Sequence, residues 1–159
     1  MGLKQEEQGV PQKPATDATP QANISRSTQL PPEAVALAGK LFDFAREGKT
    51  AELEQYISAG VPVNLTNHKG DTLVMLAAYH GHLETLKMLL DKGADMNVLN
   101  ERGQSPIAGA VFKGYDEIVA LMAGRGADLQ AGQPNAIQSA HMFKREEMLR
   151  VFGEDGAAS

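Results

Sequence analysis

Four histidines and several neighbouring carboxylate pairs are the residues best suited to chemistry in this chain. His80 and His82 flank Gly81 and could supply half of a metal site. A zinc site draws further ligands from Cys, His, Asp or Glu at characteristic spacings. Here cysteine is absent, and no His-x-x-x-His or Glu-x-x-x-His cluster occurs. Glu6-Glu7, Asp116-Glu117 and Glu146-Glu147 could be imagined as acid–base dyads. Adjacent residues on a helix do not face each other, so these pairs read as solvated helix starts. His68 and His141 have no acid–base partner in the sequence. Glycine-rich phosphate loops and a Gly-x-Ser-x-Gly elbow are both missing. The expectation is a chain with no catalytic residues, no metal site and no cofactor, and hence no enzyme. A metal-binding or small-molecule enzyme would have only His80 and His82 to rest on.

The elements that hold these residues follow a repeat. Glycine falls at positions 48, 81 and 114, and again at 60, 93 and 126, each step being 33 residues. A fixed period of this size marks stacked supersecondary units that bury a continuous core only together. The echo extends to residue types. Asn67-His68-Lys69-Gly70-Asp71-Thr72-Leu73-Val74-Met75-Leu76-Ala77-Ala78 leads to Gly81, and Leu89-Leu90-Asp91-Lys92-Gly93-Ala94-Asp95-Met96-Asn97 follows. One period on, Gly103, Ser105, Ile107 and Ala110 match Gly70, Thr72, Val74 and Ala77, and Gly126-Ala127-Asp128-Leu129 repeats Gly93-Ala94-Asp95-Met96. Gly60-Val61-Pro62-Val63-Asn64 is a degraded copy of that loop.

This pattern resembles the ankyrin repeat over about residues 34–152. Residues 67–99 carry it best, with Leu73 where the family usually has Pro and Met75 where it has His. Residues 100–130 carry Ser105-Pro106-Ile107-Ala108 in place of Thr-Pro-Leu-His. The resemblance implies an all-α ankyrin-repeat solenoid of stacked helix-turn-helix pairs with short β-hairpin-like fingers, about four repeats including atypical caps. The expected layout is a disordered tail over 1–30 and a repeat domain over 31–152. Its units lie near 34–66, 67–99, 100–132 and 133–152, with a frayed end over 153–159.

Composition is consistent with this reading. Tryptophan is absent and aromatics are 5% of residues, so the core must come from Leu, Ile, Val, Met and Ala. A formal net charge of −5 argues against a nucleic-acid binder that neutralises phosphates. No stretch has the apolar length of a membrane span. The lack of cysteine fits a reducing compartment, and the N-terminus shows no apolar signal-peptide core. The expected location is cytoplasmic, or periplasmic if a signal was removed. Residues 1–30, rich in Gln, Pro, Thr, Ala and Glu, read as a spacer. The alternative is a partner-docking segment anchored by Ile24 and Leu30.

Local signals place the helices. Pro31-Pro32-Glu33 opens the first, with Val35, Leu37, Ala38, Leu41, Phe42 and Ala45 at helical spacing. Thr50 is expected to cap a helix over 51–58 that buries Leu53, Tyr56 and Ile57, and Gly60 to end it in a left-handed turn. Further helices are expected near 72–79, 83–90, 105–112 and 116–123, with Thr72 and Ser105 as N-caps. Ala136-Ile137-Gln138-Ser139-Ala140 aligns with the previous unit at a shift of 30 rather than 33, and Lys144 stands where glycine is expected. A shortened third finger and a tighter last helix junction follow from that reading.

The resemblance also implies a working surface. Family partners meet the finger tips and the exposed side of each first helix, including the two residues before the inter-helix glycine. Here these are Arg46-Glu47, Tyr79-His80, Phe112-Lys113 and Met142-Phe143, with His68, Lys69 and Asp71, then Leu99, Glu101, Arg102 and Gln104, on the fingers. Three aromatics on successive repeats are the residue types that dominate binding hot spots. The alternative for Phe112 and Phe143 is burial between repeats, and for the finger residues mere solvation. The expected function is a monomeric, non-catalytic module that binds a partner protein, not nucleic acid or membrane. The alternative is a dedicated regulator, inhibitor or immunity or stress-companion protein of an enzyme or toxin encoded nearby.

Overall fold

Eight helices, stacked as four pairs, make up the computed structural model, which describes residues 32–154. They are α1 (Pro32–Glu47), α2 (Thr50–Ser58), α3 (Leu73–Tyr79), α4 (Leu83–Asp91), α5 (Pro106–Lys113), α6 (Asp116–Gly124), α7 (Ala136–Met142) and α8 (Glu146–Val151). The expected tail over 1–30 and the residues from 155 onward lie outside the described part. The first helices α1, α3, α5 and α7 pack on one another in one row, and α2, α4, α6 and α8 form a second row behind them. The fold is the all-α repeat solenoid anticipated from the 33-residue glycine step.

The core lies between the two rows. Leu41, Leu53, Leu73, Leu86, Leu89, Ile107, Val111, Val119, Met122 and Met148 are essentially inaccessible to solvent, and Ala45, Ala77 and Ala110 let first helices approach closely. Each deeply buried Leu or Ile removed from water contributes about 1.5–3 kcal/mol, so the stack is held mainly by apolar burial. The exposed ion pairs between neighbouring second helices, Lys92–Glu54 at 3.7 Å and Arg125–Asp91 at 3.0 Å, contribute little by comparison. Val35, expected on the apolar stripe of the first helix, lies exposed, as does Val151 in α8.

Helix starts follow their caps. Thr72 Oγ1 accepts from Met75 N–H at 3.0 Å, and Ser105 Oγ accepts from Ala108 N–H at 3.2 Å. Asn135 begins α7 with a full capping box: its side chain accepts from Gln138 N–H at 2.8 Å, while its own N–H donates to Gln138 Oε1 at 2.9 Å. Thr50 departs from expectation. It is the first residue of α2 rather than its cap, and its hydroxyl is 2.6 Å from that of Thr85 on α4. Thr85 is buried, so the hydroxyl pair satisfies two polar groups across the second-helix row instead of one helix end.

The fingers are turns rather than strand pairs. Among the described residues the β element is a single isolated antiparallel bridge, Thr66 to Thr72. Asparagine side chains organise the tips. Asn67 Oδ1 accepts from the N–H groups of Lys69 at 2.9 Å and Asp71 at 3.0 Å, and Asn100 Oδ1 accepts from Arg102 and Gln104, both at 3.0 Å. Backbone bonds then join one finger to the next, from Glu101 N–H to Lys69 O at 2.9 Å and from Gln133 N–H to Gly103 O at 3.0 Å.

The last helix junction is not tighter than the others. Lys144 adopts the left-handed conformation itself, with φ of 56°. A residue with a Cβ is strained there by about 1 kcal/mol or more. Lys144→Gly is therefore expected to raise the unfolding free energy by about 1 kcal/mol in urea titration. A loss of stability would show that the lysine side chain contributes more than its backbone strain costs.

Candidate functional site

The residues before each inter-helix glycine end the first helices, and the period sets them side by side. Tyr79 and His80 end α3, Phe112 and Lys113 end α5, and Met142 and Phe143 end α7. Val111 and Ala110 take the core positions of α5, so the next residue, Phe112, is rotated onto the open face. Phe112 is 47% exposed, Met142 61%, Phe143 39% and Tyr79 37%. The burial alternative for Phe112 and Phe143 does not occur. Their rings instead pack edge-to-face at 5.1 Å, and Lys113 Nζ sits 5.0 Å over the Tyr79 ring. His80 meets the same ring edge-on at 5.6 Å. The result is a fixed row of aromatic and cationic side chains across three repeats.

Beside this row the fingers enclose a cleft of about 460 Å³. Arg46, Tyr79 and His80 line it from the helices, and His68, Lys69 and Asp71 from the first finger. Glu101, Arg102 and Gln104 complete it from the second. Several of these side chains are already engaged, Gln104 Oε1 among them, which accepts from Asn100 Nδ2 at 2.8 Å. Arg46 pairs with Asp43 at 2.7 Å, and Asp71 accepts from Asn100 Nδ2 at 2.9 Å. Glu47 and Leu99 are exposed but outside that cleft, as are Phe112, Lys113, Met142 and Phe143.

The two histidines around Gly81 diverge. His82 Nε2 donates to Arg46 O at 2.7 Å, the carbonyl fixing the tautomer because it can only accept. His80 points into the cleft, and its pKa is held below the usual histidine value, first by partial burial and then by Arg46, His82 and Lys113. Among the described residues, no group of three or more His, Asp or Glu side chains gathers as metal ligands. No helix among them is long and apolar enough to cross a membrane.

Reading the sequence missed a second set of residues that supports the face. A Cβ placed on Gly48 would lie 2.5 Å from His82 Nδ1, one on Gly81 2.9 Å from Tyr115 Cζ, and one on Gly114 3.1 Å from Arg145 Nη2. In each case the residue that follows one inter-helix junction sits against the glycine of the preceding unit. Arg145 goes further, donating from Nε to Val111 O at 3.1 Å and from Nη2 to Phe112 O at 2.9 Å. These bonds satisfy helix-terminal carbonyls and hold the backbone that carries Phe112. The signal was visible as the position after each glycine, but its significance depends on contact between residues about one period apart.

Comparison with known proteins agrees with this geometry. The chain is 48% identical over 60 residues to a protein of Pseudomonas aeruginosa named as an ankyrin repeat protein, a match covering 38% of this chain and 35% of that one. The matched part thus spans about a third of the relative's length. A family model of ankyrin repeats in three copies matches residues 41–133, more than half of the chain, and with the paired helices and left-handed glycines above it shows that this chain belongs to the ankyrin-repeat family.

Proposed function

We propose that the chain is a non-catalytic module that binds a partner protein across its first-helix face and finger tips. Ankyrin repeats are in general protein-interaction modules and typically non-catalytic. The observation that carries the proposal is the exposed row of Tyr79, Phe112, Phe143 and Met142, in which Phe112 packs on Phe143 and Tyr79 on Lys113 and His80. Rings already ordered against each other lose little side-chain entropy on binding, which favours their use as anchors. In this reading residues 31–152 form one domain, with the outer helix pairs acting as caps and the face centred on the units near 67–99 and 100–132.

Tyr79→Ala combined with Phe112→Ala tests the surface. Each truncation of an aromatic anchor costs about 2 kcal/mol of binding, so the pair is expected to abolish partner capture in an affinity pull-down read by mass spectrometry. The far-ultraviolet circular dichroism of the variant should match the parent. Undiminished capture of the same partner would refute the assignment. The nature of that partner, enzyme or toxin against scaffold, decides the narrower reading of a dedicated regulator.

A further inference from the structure

Acidic residues are unevenly placed along the first-helix row: α1 carries Glu33, Asp43 and Glu47, and the three first helices after it carry none. The second helices α2, α4, α6 and α8 carry two acidic residues each, against Lys87 and Arg150 as their basic residues. The first helices α3, α5 and α7 carry no acidic residue at all; their charged and titratable groups other than tyrosine are Lys113 and His141, with His80 at the end of α3. The chain as a whole has a formal charge of −5, so a face without carboxylates on three consecutive helices runs against its composition. Among the described residues no carboxylate pairs with Lys113, whose ammonium is held over Tyr79. The finger rim is mixed in sign, with Lys69 and Arg102 beside Asp71 and Glu101, so the bias belongs to the helices.

We propose that the partner docks through an acidic segment bearing an apolar side chain. Its carboxylates meet Lys113 and His80, and its apolar group packs on the Phe112–Phe143 pair. The inference rests on the protein-binding reading above and adds the chemistry of what is bound. The His80 pKa is lowered first by partial burial and then by Arg46, His82 and Lys113, so cationic groups stand close to the ring on which an incoming carboxylate would settle.

A displayed library of random short peptides, panned against the full chain, provides the probe. Peptides enriched on it should carry net negative charge and at least one aromatic or large aliphatic residue. Measured by fluorescence anisotropy, an enriched peptide should bind Lys113→Glu about tenfold or more weakly, and Lys113→Gln by a smaller factor. The difference should shrink with added salt. Neutral or basic enriched peptides, no enrichment, or unchanged affinity for Lys113→Glu would overturn the proposal. Peptides that lose affinity for the Tyr79→Ala, Phe112→Ala chain but keep it for Lys113→Glu would overturn the acidic partner while leaving the binding face in place. Peptides that keep affinity for both variants would overturn the two readings together.

Discussion

Gly81→Ala is expected to lower the unfolding free energy by about 3 kcal/mol, from two sources. The first is backbone strain: Gly81 has φ of 83°, where a Cβ costs about 1–2 kcal/mol. The second is contact, because the new methyl would sit 2.9 Å from Tyr115 Cζ and 3.1 Å from its Cε1. The half-buried Tyr115 ring packs against the core and is less free to swing away than a lysine tip, and forced overpacking costs about 1–3 kcal/mol. Gly93→Ala separates the two. Gly93 has φ of 89° but nothing within 4 Å of its added methyl, so only the strain should be felt. Urea unfolding of both variants measures the difference, and equal losses would remove Tyr115 from the explanation.

Ile107→Ala should be as costly, at about 3 kcal/mol within a range of 2–5, through the cavity it leaves. Ile107 is wholly buried on α5, which packs on both α3 and α7. In a linear array each unit is stabilised chiefly by its neighbours, so weakening the third unit also loosens the fourth. The parent chain should unfold in one cooperative step. The variant should show a shallower urea transition in circular dichroism, with α7 and α8 losing amide exchange protection first. A variant with the parent's midpoint would contradict the assignment of Ile107 to the shared core.

Much of this fold could be read from the spacing of glycines. The period located every helix of the second and third units to within about a residue, and Thr72 and Ser105 were legible as caps because each precedes an apolar run by one position. What escaped were the ties between units. Thr50 looks like a helix cap when only its own neighbours are considered, yet its partner is Thr85, 35 residues away. Phe112 and Phe143 were ambiguous for the same reason: each could be inside or outside until the register of α7 against α5 was known. At Lys144 the missing glycine was visible, but its meaning was not. The junction keeps the usual geometry, and the lysine side chain is exposed with no later unit seated on it among the described residues.

The glycine contacts give the stack a polarity. His82, Tyr115 and Arg145 of the second, third and fourth units each fill a notch at the glycine of the unit before, Gly48, Gly81 and Gly114 in turn. Growth in the N-to-C direction therefore obeys the logic of a head-to-tail polymer, in which a monomer adds only where a receptive end is open. At the fourth junction Lys144 carries a Cβ at the position where Gly48, Gly81 and Gly114 receive the side chain of the following unit. Lengthening the array by grafting another repeat after α8 would first require restoring the glycine at position 144.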